Sequence, residues 1–212
     1  MTEPTMSRSC EMDLKNVHSL RGFWSLIVTQ FEGAFNDNAL KALVTFFGLD
    51  LVLPDWEHRS LLPLTGALFS LPMVVFSMWG GFLADRCSKR TVTISIKILE
   101  VGIMCFATGG LVLKNLPMGL VAIFLMGTHS AIFSPSKYGL LPELLPERKL
   151  SWGNGILELG TFLAIIMGMA AGAGLYTWTK GAEMFGEAGV VLVVFAIIGL
   201  VFSFGISRVP AA

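Results

Sequence analysis

Charge is what this sequence has least of. Only 14% of its 212 residues are Asp, Glu, Lys or Arg, while 54% are hydrophobic. A soluble domain carries roughly 25% charged residues, so the shortage, with a mean hydropathy of +0.71, points to lipid. Net charge is also absent. The 15 basic side chains balance the 15 acidic ones, which leaves no basic field to hold nucleic acid. Cysteine is scarce: Cys10, Cys87 and Cys105 are odd in number, far apart and outside any metal-ligand spacing. Reduced thiols are expected, with no metal and no cofactor. A cleaved leader is not expected either, because residues 1–21 are polar and the first apolar run is too long and too polar in content. Short repeats and low-complexity linkers are lacking as well.

What is present is a series of apolar runs near the ~20 residues needed to cross a ~30 Å hydrocarbon core. They lie at about 22–49, 61–84, 92–113, 117–142, 153–178 and 189–207. Only helices and closed barrels satisfy the backbone in lipid, and the alternation of barrel strands is missing. The expected fold is therefore an all-α membrane protein with six transmembrane helices. Residues 1–21 form an N-terminal segment before the bundle at 22–207. Short connections make most sequence neighbours antiparallel. Helices 1–3 and 4–6 are the candidate halves of an inverted repeat, although no sequence symmetry relates them. Helix 6 is uniformly apolar, which places it against lipid.

Helix 1 holds the charges least expected in a span. Gln30, Ala34, Asp37 and Lys41 recur at i, i+4, i+7 and i+11, on one face. A charge at mid-bilayer costs about 2.5–3.5 kcal/mol on insertion scales, so such groups face a cavity or a partner. Asp37 and Lys41 are spaced to pair. These residues and Asn38 are candidates for a translocation pathway; interhelical hydrogen bonding is the plainer alternative. Glu32 and Asn36 lie on nearly the opposite face, where contact with another helix is expected.

Further polar groups punctuate helices 3 to 5. Lys97 and Glu100 are three apart, and a local ion pair accounts for them. His129, beside Thr128 and Ser130, reads as a packing residue rather than a proton carrier. Pro135 frees a backbone carbonyl within helix 4. Lys137 stands near the cytoplasmic end of that helix, either as a point charge for a lipid phosphate or snorkelling to the interface. Glu158, one turn into helix 5, either caps the neighbouring loop or lines a central cavity.

The loop between helices 2 and 3 reads Gly81-Phe82-Leu83-Ala84-Asp85-Arg86-Cys87-Ser88-Lys89-Arg90. Gly80 and Gly81 permit close helix approach, Asp85 suits a helix end, and the three basic residues hold the loop at the cytoplasmic surface. The whole string resembles the signature of the major facilitator superfamily, with Ser88 where that family usually has glycine. The resemblance implies the N-terminal six-helix half of a major facilitator fold. It also implies a cytoplasmic gate formed by Gly81, Asp85, Arg86, Lys89 and Arg90.

Two blocks narrow the resemblance. Gln30-Phe31 with Ala34-Phe35-Asn36-Asp37-Asn38-Ala39 is similar to the first helix of bacterial lysophospholipid transporters. Ser134-Pro135-Ser136-Lys137-Tyr138-Gly139, then Glu143, Gly153-Asn154-Gly155 and Glu158, resemble the same family. The implied function is movement of lysophospholipids such as lysophosphatidylethanolamine across the bacterial inner membrane for re-acylation. Lysophospholipid and membrane lipids are the implied partners, with an acyltransferase as a separate or fused domain. The competing reading is a drug–proton antiporter. The glycine-rich stretch Gly168–Gly174 lacks the Gly-Pro pair that antiporters often carry in helix 5.

An acyltransferase site, with His and Asp separated by four residues, is absent from the chain itself. His18, His58 and His129 are followed at that spacing by Phe23, Pro63 and Ser134, so no enzyme activity is expected. Val209-Pro210-Ala211-Ala212 falls where an inter-half linker would start, at 208–212. The expectation is a fragment whose C-terminal six-helix half is missing.

Loop charges orient the bundle. Arg8, Lys15, Arg21, Arg86, Lys89, Arg90, Arg148, Lys149 and Arg208 make nine on one side, against Arg59, Lys114 and Lys180, three, on the other. The basic side faces the cytoplasm, so both ends are expected there. In full-length protein stripped of native cysteines, single cysteines at 50–60 or 179–188 should react with an impermeant maleimide in intact cells. Labelling at 85–91 instead would reverse the orientation.

Overall fold

A helix carrying Glu32, Asp37 and Lys41 is costly against lipid, and in the computed structural model it lies at the centre of the bundle. The structure describes the backbone of residues 5–51, 55–86, 88–181 and 184–206, and the side chains of residues 20–51, 59–83, 86, 88–181 and 184–206. The Asp85, Cys10 and Cys87 side chains and the expected linker start at 208–212 fall outside them. Six α-helices make up the described chain: α1 (Thr5–Asp50), α2 (Asp55–Arg86), α3 (Lys89–Val112), α4 (Leu116–Leu144), α5 (Leu150–Lys180) and α6 (Phe185–Ser203). A single 3-10 turn, Glu147–Lys149, precedes α5. Five of these helices, α2 to α6, are long and apolar enough to cross a membrane. The exception is α1, whose charges the others enclose.

Packing follows a swapped pattern. α1 packs mainly on α5 and α6, while α4 packs mainly on α2 and α3; α3 and α6 pack on each other, and α1 also touches α4. The first helix of each triplet thus lies against the second and third helices of the other triplet. This is the pairing expected of two interlocked three-helix repeats, although the sequence shows no symmetry between them. Within each triplet, consecutive helices barely touch.

Small residues set how close the helices come. A Cβ added to Gly168 of α5 would lie 3.1 Å from the Phe35 carbonyl carbon. One added to Gly172, a turn later, would lie 2.8 Å from Ala42 Cβ. Without a hydrophobic drive between helices in lipid, such close backbone approach is a main source of packing energy. At the far end of α2, Gly80 lies against the Ala131 carbonyl of α4, the one that Pro135 leaves without its helical N–H. A Cβ on Gly81 would meet none of the described residues within 4 Å, so among them the close approach expected of the pair belongs to Gly80.

Two apolar clusters fill the interior. One joins Leu40, Leu43, Val44, Met104, Ile123, Met126 and Leu192. The other gathers Phe23, Leu26, Leu140, Leu141, Leu144 and Leu145, next to the Trp24 and Trp152 rings at 5.4 Å from Phe23. α6 is not simply lipid-facing. Ala188, Gly189, Leu192, Ala196, Gly199 and Ser203 form a buried stripe, because α6 closes the bundle over α1 and α3, while Val190, Val194 and Val201 face outward.

The glycine contacts make a stability prediction. Gly168→Leu should force α5 away from α1 at a cost of about 1–3 kcal/mol, as overpacking does, and lower the unfolding midpoint in detergent. Gly174→Ala should leave it unchanged, since a Cβ there meets nothing within 4 Å. Equal midpoints for the two variants would contradict this packing.

Candidate functional site

Polar groups inside the bundle divide into a closed network and an open cavity, with α1 contributing to both. In the network, Lys97 Nζ of α3 lies 2.6 Å from Glu32 Oε2 of α1 and 2.6 Å from Glu100 Oε2. Asn36 Nδ2 donates to Glu32 Oε1 at 3.0 Å and to the Leu192 carbonyl of α6 at 3.1 Å. Lys97, Glu100 and Asn36 are completely buried, and Glu32 is 5% exposed. Two neighbouring glycines make the room. A Cβ on Gly33 would come within 2.9 Å of Lys97 Nζ, and one on Gly199 of α6 would overlap the Glu32 carboxylate. The network ties α1, α3 and α6 together, as hydrogen-bonded charges can when each has partners.

The expected ion pair of Lys97 and Glu100 is present, but it is not confined to α3. They form the buried middle of an interhelical cluster. Glu32 and Asn36 do turn to other helices, as their face required. The sequence signal was there, four polar residues within two apolar runs. The registers of α1 and α3 were needed to bring them together.

The cavity lies on the other side of α1 and encloses about 210 Å³. α1 supplies Gln30, Asp37 and Asn38; α4 supplies His129, Ser130 and Lys137; α2 and α5 add Phe69 and Thr161. Gln30 Nε2 donates to Thr161 Oγ1 at 3.1 Å, fixing α1 to α5 beside the cavity. The Ser130 hydroxyl donates to Asp37 Oδ2, while Asp37 Oδ1 is buried with no hydrogen-bond partner. Lys137, only 8% exposed, has its Nζ 4.8 Å from the Tyr138 ring centre. Among the described residues it has no ion pair. The cavity therefore presents a carboxylate and an ammonium between apolar walls that include Phe69, Met73, Phe133 and Ile165.

Four of the six expected pathway residues line this one cavity: Gln30, Asp37, Asn38 and Lys137. The other two stand apart. Lys41 does not pair with Asp37. Its Nζ donates to Asn38 Oδ1 at 3.0 Å, lies 5.0 Å from the Phe69 ring centre, and borders a separate cavity of about 420 Å³ with Thr45, Thr65 and Met169. Glu158 is half-buried and accepts the Tyr138 hydroxyl at 2.5 Å. His129, expected to be a satisfied packing residue, is 1% exposed with neither ring nitrogen hydrogen-bonded. Its Nε2 lies 3.4 Å from Glu100 Oε2, so the ring spans the cavity and the network.

The expected loop is mostly helix: Gly81 to Arg86 end α2, Lys89 and Arg90 begin α3, and their side chains clamp helix ends. Lys89 pairs with Glu143 near the end of α4. Arg90 Nε donates to the Ile206 carbonyl at 2.6 Å and Nη2 to the Phe204 carbonyl at 3.1 Å, satisfying acceptors that the end of α6 leaves open. Arg86 stacks on Phe82 with 4.4 Å between guanidinium and ring centre.

The family model of the Major Facilitator Superfamily matches residues 26–211. The Lysophospholipid transporter LplT of Klebsiella pneumoniae is 31% identical over 198 residues, covering 91% of this chain and 45% of the relative. Its namesake from Escherichia coli O1:K1 is 30% identical over 172 residues, covering 77% of this chain and 40% of the relative. The chain thus spans less than half the length of the curated relatives it matches. A peptide transporter POT solved with sulfate superposes with a TM-score of 0.65 at 19% identity, over 87% of this chain and 37% of that one. A POT family transporter bound to 5-aminolevulinic acid gives 0.66 at 19% identity, with the same coverage. These two share the fold.

Proposed function

The chain belongs to the Major Facilitator Superfamily, and from that premise we propose that the whole protein carries lysophospholipids across a bacterial inner membrane for re-acylation. It is a multi-pass membrane transporter rather than an enzyme. The observation that carries the lipid reading is the pairing of Asp37 and Lys137 in one cavity with apolar walls. Lysophosphatidylethanolamine has an ammonium and a phosphate close together, joined to a single acyl chain. The free Asp37 Oδ1 accepts from the ammonium, and the three N–H groups of Lys137 donate to the phosphate. A cavity of about 210 Å³ takes the head group, and the acyl chain stays in an apolar groove. The likeness to lysophospholipid transporters supports the same substrate.

The remaining roles follow from this reading. Gln30 and Asn38 shape the cavity wall, Lys41 positions Asn38, and Glu158 holds Tyr138 beside Lys137. Asp85 is the gate residue on the cytoplasmic side, in the last turn of α2 with Gly81 and Arg86, next to the start of α3 that Lys89 and Arg90 fasten to α4 and to the end of α6. Both ends of the chain are cytoplasmic. A second six-helix half completes the carrier, and an acyltransferase, fused or separate, consumes the delivered lysolipid.

A charge-assisted hydrogen bond contributes about 1.5–3 kcal/mol, which corresponds to roughly 10- to 100-fold in binding. In full-length protein, Asp37→Asn and Lys137→Ala should each lower lysophosphatidylethanolamine uptake by about that factor, with membrane levels unchanged. Uptake at the unmodified rate in both variants would remove the lysolipid reading and leave the drug–proton antiporter in its place.

A further inference from the structure

Asp37 has a cation on either side of it along the bundle. α1 and α4 run antiparallel: a Cβ on Gly119 of α4 would meet the Val44 side chain of α1, while Ser130, further along α4, reaches Asp37. At ~1.5 Å per residue, Lys41 lies about 6 Å from the level of Asp37, toward the Asp50 end of α1. Lys137, beyond Ser130 on α4, lies about 10 Å from that level in the opposite direction. Side chains leave a helix tilted toward its N-terminus, which for both lysines is the direction of Asp37.

The Lys41 ammonium is half-buried and only partly used. One of its three N–H groups donates to Asn38 Oδ1, and its charge lies over the Phe69 ring. Among the described residues it has no ion pair, and no acceptor takes the other two N–H groups. It faces the cavity of about 420 Å³, whose walls include Phe46, Leu62 and Met169. The Thr45 and Thr65 hydroxyls in that wall are buried and engaged with each other and with the Lys41 and Leu62 carbonyls. Lys41 is thus the one side chain there with hydrogen bonds to offer. A free phosphate stripped of water needs several donors, whereas one ammonium among apolar walls suits a phosphate that carries an acyl chain. Asn38 and Phe69, the two groups that Lys41 touches, also line the smaller cavity of Asp37 and Lys137. They are the partition between the two.

We infer that the larger cavity is a second phosphate site, in which Lys41 holds the phosphate of the lysolipid before Lys137 does. This second site rests on the head-group reading above, in which Asp37 holds the ammonium. In lysophosphatidylethanolamine two carbons separate the ammonium from the phosphate. With the ammonium at Asp37, the phosphate therefore reaches one lysine or the other, not both. Passing from Lys41 to Lys137 swings the phosphate, and the acyl chain beyond it, from the Asp50 end of the bundle toward the opposite end. A lipid that crosses a bilayer must make such a turn, and the Asp37 carboxylate is its pivot. In the proposed orientation the Asp50 end is periplasmic, so Lys41 comes first. Asn38 and the Phe69 ring hold the Lys41 charge once the phosphate has moved on.

The test is the preference for lysophosphatidylethanolamine over sphingosine, a single-chain amine without phosphate, measured as binding to full-length protein in nanodiscs. The phosphate should give the unmodified protein a preference of roughly 10- to 100-fold. A purely structural effect of a lysine would weaken both lipids alike and leave this ratio unmoved. With two phosphate sites, part of the preference should remain in Lys41→Met and part in Lys137→Ala, and all of it should go in the double variant. Loss of the whole preference in Lys137→Ala alone would overturn the second site and leave the head-group reading standing. Loss of the whole preference in Lys41→Met alone, its persistence in the double variant, or its absence from the unmodified protein would overturn both.

A readout without any substitution covers the case in which a variant does not fold. Reductive methylation of the unmodified protein, with reagent in excess over lipid amine, is read at each lysine by mass spectrometry. Lysophosphatidylethanolamine should protect both Lys41 and Lys137 more than sphingosine does. Failure to protect Lys41 would overturn the second site, and failure to protect Lys137 would overturn the head-group reading on which it rests.

Discussion

One ammonium between two carboxylates organises this bundle. Lys97 holds Glu32 of α1 and Glu100 of its own helix, and no part of that arrangement tolerates lipid. Each charge left facing hydrocarbon would cost about 2.5–3.5 kcal/mol on insertion scales. The polar helix α1 must therefore lie inside, with five apolar helices around it. The rest of the packing follows from that placement. α5 reaches α1 through Gly168 and Gly172, Gly199 lets α6 close over the Glu32 carboxylate, and Gly33 leaves space for the Lys97 head.

The same helix serves two purposes on two faces. Toward α3 and α6 its polar atoms are mostly matched, by Lys97, by each other and by the Leu192 carbonyl. Toward α2, α4 and α5 one of them, Asp37 Oδ1, is left unmatched beside a cavity. Matched groups stiffen a structure, whereas unmatched ones are a standing cost that a ligand can relieve. A carrier needs both, a fixed frame and a site that is better satisfied when occupied. His129 stands where the two meet.

Much of this was legible in the sequence, for definable reasons. Apolar run length gives all-helical spans directly, and the i, i+4, i+7 recurrence of Gln30, Ala34 and Asp37 puts them on one face without reference to other helices. Lys137 joins Asp37 only because α4 crosses α1 at that level, and the sequence motif pointed there by resemblance rather than by physics. The incomplete readings share one cause. Lys97 with Glu100, a pair that does form, Asp37 with Lys41, which does not, and His129 by itself were judged from neighbours along the chain, whereas Glu32, Ser130 and Glu100 reach Lys97, Asp37 and His129 from other helices. Glu32 is 65 positions from Lys97 and Ser130 is 93 from Asp37. For α6, the buried stripe is made of Ala, Gly, Leu and Ser among Val, Ile and Phe, a contrast of size rather than polarity that hydropathy does not register.

The central claim is that Lys97 is the shared partner of Glu32 and Glu100 and fastens α1 within the bundle. A double-mutant cycle between Glu32→Gln and Lys97→Met, measured as unfolding free energy in mixed micelles, tests it most directly. Breaking a buried ion pair by removing one partner costs about 3–5 kcal/mol, so Lys97→Met should be severely destabilised by the carboxylates it leaves behind. Adding Glu32→Gln should then recover part of the loss, with a coupling above about 1 kcal/mol. Two effects that simply add, within about 0.5 kcal/mol, would contradict the account.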